Sequence, residues 1–276
     1  MAKGQMRKFK RERSINRLDS NIRALFFILV WNNLFIYMVK FSVIITGWNC
    51  EKFVKKCLDS IKEQTVKPFD VIIIDDGSTD NTYQEMVKNA PHLATILKLP
   101  KNLGTYYARD KAINESKGDI IVMIDCDDYL LPNALELCKK QYLKGNLMTY
   151  GNYQFLNGKI CPVELEYPDE IKKTRDYRKD TFRCTHLRTF KKELYLSIPK
   201  WELTESEINS YPDVEILFSM MEMCGPERIA CIKTPIYVYN TANPESTLKR
   251  FGKDYPGYYE LVKREKRELL PLNFIR

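Results

Sequence analysis

From Phe41 onward two hydrophobic rhythms alternate. Short runs in which nearly every position is apolar, such as Val71-Ile72-Ile73-Ile74 and Ile120-Ile121-Val122-Met123-Ile124, read as strands buried on both faces. Between them apolar residues recur three and four apart: Phe53, Val54, Cys57, Leu58 and Ile61 mark one face of a helix. The pattern predicts strands at 41–46, 70–74, 94–99 and 119–124, and helices at 51–64, 81–89 and 105–117. Gly77 and the run Ser78-Thr79-Asp80 supply a turn and a cap before the second helix, and Gly118 is expected to end the third. Another helix begins near Pro132. Strand–helix alternation of this kind predicts a parallel sheet with right-handed crossovers and helices on both faces.

The second half has a different texture. Residues 147–163 predict antiparallel strands around an Asn157-Gly158 turn. The charged stretch 164–183 reads as a surface loop or insertion. A strand over 184–190, a short helix over 191–197 and a helix over 213–224 follow, the last with Val214, Leu217, Phe218 and Met221 on one face. Strands at 228–232 and 235–239 and a charged outer helix over 256–270 complete the chain. This divides it into a tail and short apolar segment (1–40), a first half (41–142), a second half (143–245) and a C-terminal helix (246–276).

Composition alters this picture at the N-terminus. The 276 residues carry a formal charge of +8, yet residues 1–23 alone hold eight Lys/Arg against two acids. The remainder is near neutral, which makes nucleic-acid binding by the main domain a poor expectation. Residues 24–39 are apolar apart from Asn32 and Asn33, short of the roughly 20 residues that span a bilayer. The segment reads as an anchor, a peripheral membrane helix or an upstream extension of a domain starting near Met38. Inserted, its basic flank would hold the N-terminus in the cytoplasm. With no small-residue cleavage site following, it makes a poor secretory signal. The eight cysteines form no C-x-x-C pair and only two histidines are present, which argues against structural zinc and for reduced core thiols of a cytoplasmic, membrane-associated or soluble protein.

Candidate chemistry gathers where the strand 120–124 ends, in Asp125-Cys126-Asp127-Asp128. Three carboxylates within four positions repel unless something positive sits among them. Hard oxygen ligands suit Mg²⁺ or Mn²⁺, ions commonly shared with substrate phosphates. Parallel sheets bind ligands beyond the carboxyl ends of their strands. Asp75-Asp76, and Thr46, Gly47 and Asn49, fall at the same edge. The bland alternative is a set of acidic turns capping the helices that follow. Neither a G-x-G-x-x-G nor a G-x-x-x-x-G-K-[ST] is present, which argues against a dinucleotide Rossmann site and a P-loop.

Four segments in order, Val43-Ile44-Ile45-Thr46-Gly47-Trp48-Asn49, Ile74-Asp75-Asp76-Gly77-Ser78-Thr79-Asp80, Asn102-Leu103-Gly104 with Ala108-Arg109, and Asp125-Cys126-Asp127-Asp128, together resemble the family-2 glycosyltransferases of GT-A fold. The resemblance covers 41–142 firmly and 143–245 loosely. It implies an α/β fold, Rossmann-like and mostly parallel, with a mixed acceptor-side sheet. It also implies inverting transfer of a sugar from a nucleotide diphosphate donor, often UDP-linked, with Mn²⁺ or Mg²⁺, to a glycan, lipid-linked or other hydroxyl acceptor. By position, Thr46 and Asp76 would contact the nucleoside, with Asp75 beside them. One carboxylate of Asp125, Asp127 and Asp128 would touch the ribose and another bind the metal, with Asp125 on the nucleotide side and Asp127, favoured, or Asp128 as the metal ligand. The general base would be Asp213, although Pro212 stands where an acid is usual and Glu215 competes. His186 would be an added metal ligand or a diphosphate contact, and Arg188 a phosphate partner. Arg109 would pair with an Asp of the site or face solvent. The segment Pro235–Asn240 with Asn243-Pro244 resembles a closing strand and loop that covers the donor or touches the acceptor. Other readings are a nucleotidyltransferase, a non-catalytic sugar-nucleotide or glycan-binding module, and binding of anionic membrane or nucleic acid through the basic tail.

Overall fold

Central to the fold is β1 (Phe41–Gly47), flanked on both sides by parallel partners, β2 (Asp70–Asp75) and β4 (Ile120–Asp125). A computed structural model describes residues 39–199, 212–246 and 249. Among these, β3 (Ala94–Lys98), β5 (Tyr129–Leu130), β6 (Met148–Phe155), β7 (Arg188–Lys191) and β8 (Ile229–Tyr239) join the same sheet, in the order β3-β2-β1-β4-β7-β6-β8-β5. The helices are α1 (Glu51–Lys62), α2 (Thr82–Asn89), α3 (Thr105–Glu115), α4 (Ala134–Tyr142), α5 (Asp169–Thr174), α6 (Lys192–Leu196) and α7 (Pro212–Cys224).

Successive strand residues point to opposite faces, and the two cores divide accordingly. Val43, Ile45, Val71, Ile73, Val122 and Ile124 pack with Val54, Leu58 and Ile61 of α1 and Leu135 of α4. Ile44, Ile72, Ile74, Ile121 and Met123 pack with Ala108, Ala112 and Ile113 of α3 and with Leu217, Phe218 and Met221 of α7. Strands that bury both faces need an apolar residue at almost every position, which is the pattern along 41–124. Each such side chain contributes about 1.5–3 kcal/mol through burial.

Several expectations need correction. Helix α3 ends at Glu115, where Ser116 turns back, its N–H donating to the Ala112 carbonyl and its Oγ to that of Ile113. Gly118 belongs to the entry into β4 instead. A Cβ there would lie 2.6 Å from the Lys40 carbonyl oxygen and 2.7 Å from Ser42 Oγ. Around Asn157-Gly158 the return arm makes one isolated bridge, Gln154 to Ile160, rather than a strand. The main partners of β6 are β8, parallel, and β7, antiparallel. Residues 229–239 are one strand, not two. Its register shifts around Asn152, opposite Pro235, whose ring nitrogen cannot donate to the ladder.

The charged stretch 164–183 is not a surface loop. It holds α5 and a 3-10 turn, Tyr177–Lys179, and both Tyr177 and Arg178 are 1% exposed. Arg178 donates from Nε to Glu222 Oε1 at 2.7 Å, from Nη1 to Glu215 Oε2 at 3.0 Å and from Nη2 to Ser219 Oγ at 3.5 Å. Glu215, Ser219 and Glu222 form one stripe of α7, four and three residues apart. This explains a helix whose side chains are buried from Val214 to Cys224: an apolar stripe faces the sheet and an ionic stripe is closed by Arg178.

No helix among the described residues is long and apolar enough to cross a membrane. The tail and apolar segment 1–38 and the helix expected over 256–270 lie outside the described residues. All eight cysteines are free thiols, seven buried and Cys231 half-buried.

Removing the guanidinium should strand two buried glutamates. Arg178→Met is expected to lose about 3–5 kcal/mol in urea denaturation. Asp169→Asn, at a carboxylate whose side chain is 97% exposed, should change stability by less than about 0.5 kcal/mol.

Candidate active site

In-register pairing brings the strand ends together. Thr46 lies beside Asp125 and Gly47 beside Asp75. The ladder continues past the strands, with Asp76 N–H donating to the Gly47 carbonyl at 2.9 Å and Cys126 N–H to that of Thr46 at 3.0 Å. Gly47 permits this closeness, since a Cβ there would sit 2.5 Å from Cys126 Cβ.

The two neighbouring aspartates differ in their partners. Asp76 accepts from Leu103 N–H at 2.8 Å through Oδ1 and from Gly104 N–H at 3.0 Å through Oδ2. It thereby fixes the turn that starts α3, and burial raises its pKa against the pull of those two N–H groups. Asp75 accepts from Ser78 N–H at 3.1 Å through Oδ1, while its buried Oδ2 has no hydrogen-bond partner and faces Lys98 Nζ at 3.8 Å. Gly77, at φ +68°, is pressed against the backbone of Lys101 and Asn102. Asn49, also left-handed at φ 49°, ties the first loop to the second: its Oδ1 accepts from Thr79 N–H at 2.9 Å and its N–H donates to Ser78 Oγ at 2.9 Å.

At the end of β4, Asp125 pairs with buried Arg109 of α3, Nη2 to Oδ1 at 2.6 Å. Of the two arrangements expected for Arg109, pairing with the site is the one observed. Burial and the Asp125 charge push the Asp127 carboxyl up to about 6. Burial and both neighbouring carboxylates also hold the Asp128 carboxyl well above the usual carboxylate range. Asp128 accepts from Tyr237 Oη at 2.6 Å and from Asn240 N–H at 2.7 Å. Asp127 accepts from Asn243 Nδ2 at 2.8 Å, and its backbone carbonyl from Asn240 Nδ2 at 2.9 Å.

This donor set suits a hard divalent cation. Carboxylates are crowded where desolvation disfavours their charged forms, and a cation would reverse that penalty. Among the described residues no three His, Cys, Asp or Glu side chains are gathered to hold an ion. Donor phosphates and water would therefore have to complete the shell, as is usual for Mg²⁺.

The other expected residues are placed as follows. His186 stacks on Tyr237, centroids 4.6 Å apart, and meets Tyr153 and Tyr239 at 6.0 and 5.7 Å. Arg188 is buried on β7; its Nε donates to the Cys184 carbonyl at 2.9 Å and its guanidinium lies over the Phe182 ring. Asp213 is the second residue of α7, behind Pro212. Glu215, its competitor, is held in the Arg178 ion pair. The sequence marks Tyr237, Asn240 and Asn243 only as parts of a closing strand and loop, with no contact to the carboxylates assigned to any of them. Their signal is weak: a tyrosine within an apolar strand and two asparagines in the turn that follows it.

The mixed sheet, with carboxylates at the carboxyl ends of its parallel strands, has the GT-A fold. Residues 42–198 match the family described as Glycosyl transferase family 2, and the chain belongs to that family. It is 30% identical over 192 residues to the chondroitin synthase of Pasteurella multocida (strain Pm70), covering 66% of this chain and 19% of that protein. It thus spans about a fifth of that relative's length. Among solved structures it resembles S. aureus TarS in complex with UDP-GlcNAc, with TM-score 0.59 and 19% identity over 81% of this chain and 65% of that one. It also resembles glucosyl-3-phosphoglycerate synthase from Mycobacterium tuberculosis in complex with Mn²⁺, UDP and glucosyl-3-phosphoglycerate, with TM-score 0.53 and 18% identity over 81% and 77%.

A Cβ at Gly77 would lie 2.2 Å from the Lys101 carbonyl carbon. Gly77→Ala should push the 101–104 turn away from Asp76, lowering stability by about 1–3 kcal/mol in urea denaturation.

Proposed function

We propose that the chain transfers a sugar from a nucleoside diphosphate donor, probed first as UDP-linked, to an acceptor hydroxyl, with inversion and with Mg²⁺ or Mn²⁺ at the diphosphate. The observation that carries this reading is the crowded carboxylate cluster Asp125-Asp127-Asp128, desolvated at Asp127 and Asp128, one strand away from Thr46 and two from Asp75-Asp76. The UDP-sugar and Mn²⁺ complexes of the structural relatives support it.

Thr46, Asp75 and Asp76 lie where the nucleoside would bind. Asp75 Oδ2 has no hydrogen-bond partner, and each Asp76 oxygen keeps a lone pair beyond the one its backbone donor uses. Asp125, oriented by Arg109, would meet the ribose. Asp127, with Asp128 behind it, would hold the cation, which offsets charge developing on the leaving diphosphate. Asp213 would take the proton from the attacking hydroxyl on the face opposite the leaving group. Its rival Glu215 is already ion-paired with Arg178.

A row of half-buried rings extends from the cluster across β6 and β8: Tyr153 lies 5.4 Å from Phe155 and 5.3 Å from Tyr239. Sites lined by aromatic rings with a few polar groups suit an amphipathic ligand, which favours a glycan among the acceptors considered.

Donor hydrolysis tests the reaction class. The full chain, offered a panel of nucleotide sugars with and without Mn²⁺, is expected to release a nucleoside diphosphate from one donor. Asp127→Asn should lower that release by about 100-fold or more. Pyrophosphate as product would establish a nucleotidyltransferase instead. Donor binding without turnover for any acceptor would establish a binding module.

Once an acceptor is in hand, Asp213→Asn should slow transfer by about 10²–10⁴-fold while UDP affinity stays within twofold. Undiminished turnover would reassign the base.

A further inference from the structure

The loop after β8 holds the carboxylate cluster through two asparagines, both about 5% exposed. Asn240 touches it twice, with its backbone N–H on Asp128 Oδ1 and its Nδ2 on the Asp127 carbonyl. Asn243 touches it once, with Nδ2 on Asp127 Oδ2 at 2.8 Å. The loop itself decides which end of each amide faces the site. Asn240 Oδ1 accepts from Ala242 N–H at 2.8 Å, and Asn243 Oδ1 accepts from Glu245 N–H at 3.0 Å. Each NH₂ is therefore the end left to turn toward the carboxylates.

Resting on the reading of Asp127 as cation ligand, we infer that Asn243, seated by the loop that Asn240 anchors, is a positioning residue that fixes the Asp127 carboxylate for a divalent cation and a nucleoside diphosphate. Two physical points carry this. Asp127 stands between the like charges of Asp125 and Asp128 and would swing away from them without a donor on its own oxygen. The donor is also neutral. A lysine or arginine at 243 would cancel the carboxylate charge and compete with the ion, whereas an amide orients the group and leaves its charge for the metal. Partners that orient a metal ligand in this way commonly govern affinity by about 10–100-fold.

The test is calorimetry of UDP binding to the full chain, in Mn²⁺ and in EDTA, for wild type and Asn243→Ala, with melting temperature recorded. Wild type is expected to bind UDP more tightly in Mn²⁺. Asn243→Ala should lose about 10-fold or more of that gain, with EDTA affinity within twofold and melting within a few degrees. If Asn243→Ala does not fold, Asn243→Ser, whose hydroxyl can still accept from Glu245 N–H, should show the same selective loss. An undiminished Mn²⁺ gain in the variant, or an equal fall with and without metal, would overturn the positioning role alone. No Mn²⁺ gain in wild type would overturn it together with the metal assignment.

Discussion

Like charges crowded at the carboxyl end of β4 are the constraint around which the surrounding structure is arranged. Asp125, Asp127 and Asp128 stand within four residues, and burial makes their mutual repulsion stronger than it would be in water. Each is restrained from a different direction. Arg109 comes from α3 to Asp125, Tyr237 and Asn240 come from the end of β8 to Asp128, and Asn243 comes from the following loop to Asp127. The cluster is therefore assembled from both halves of the sheet, although its sequence is a single short run.

The restraints differ on the two sides of β1. On the side of β2, Asp76 is bonded to two backbone N–H groups and Gly77 is wedged against the next loop, so that edge is fixed by main chain. On the side of β4, the side chains of Arg109, Tyr237 and Asn243 do most of the fixing, joined by the Asn240 N–H. Main-chain hydrogen bonds hold the β2 edge with few degrees of freedom. Side chains leave the carboxylate edge at β4 more room for adjustment.

Much of the first half was legible because its strands are covered on both faces, and such strands announce themselves as unbroken apolar runs. Thr46, Asp75 and Asp125 could be placed at one edge because parallel strands end together. The second half hid itself for physical reasons. A stretch as charged as 164–183 normally lies in water, and nothing local shows that Arg178 meets Glu215 and Glu222 more than thirty residues later. Pro235 looked like a break between strands because it cannot donate, yet a bulge accommodates it within β8. Gly118 looked like a helix stop, and its need is for close approach to Ser42. The asparagines at 240 and 243 carry no signature that distinguishes a clasp on carboxylates from an ordinary turn.

The Arg178 cluster has a consequence for how such a sequence can change over time. Losing the arginine alone leaves two buried acids, and losing either acid alone leaves a guanidinium short of a partner in a place water does not reach. Each single step is costly. The concerted exchange of all three for apolar residues of similar volume is the kind of replacement that is often neutral or even stabilising. The three positions are energetically coupled rather than additive. They form a rugged patch in the mutational landscape, where the route to a simpler core exists but passes through intermediates less stable than either end.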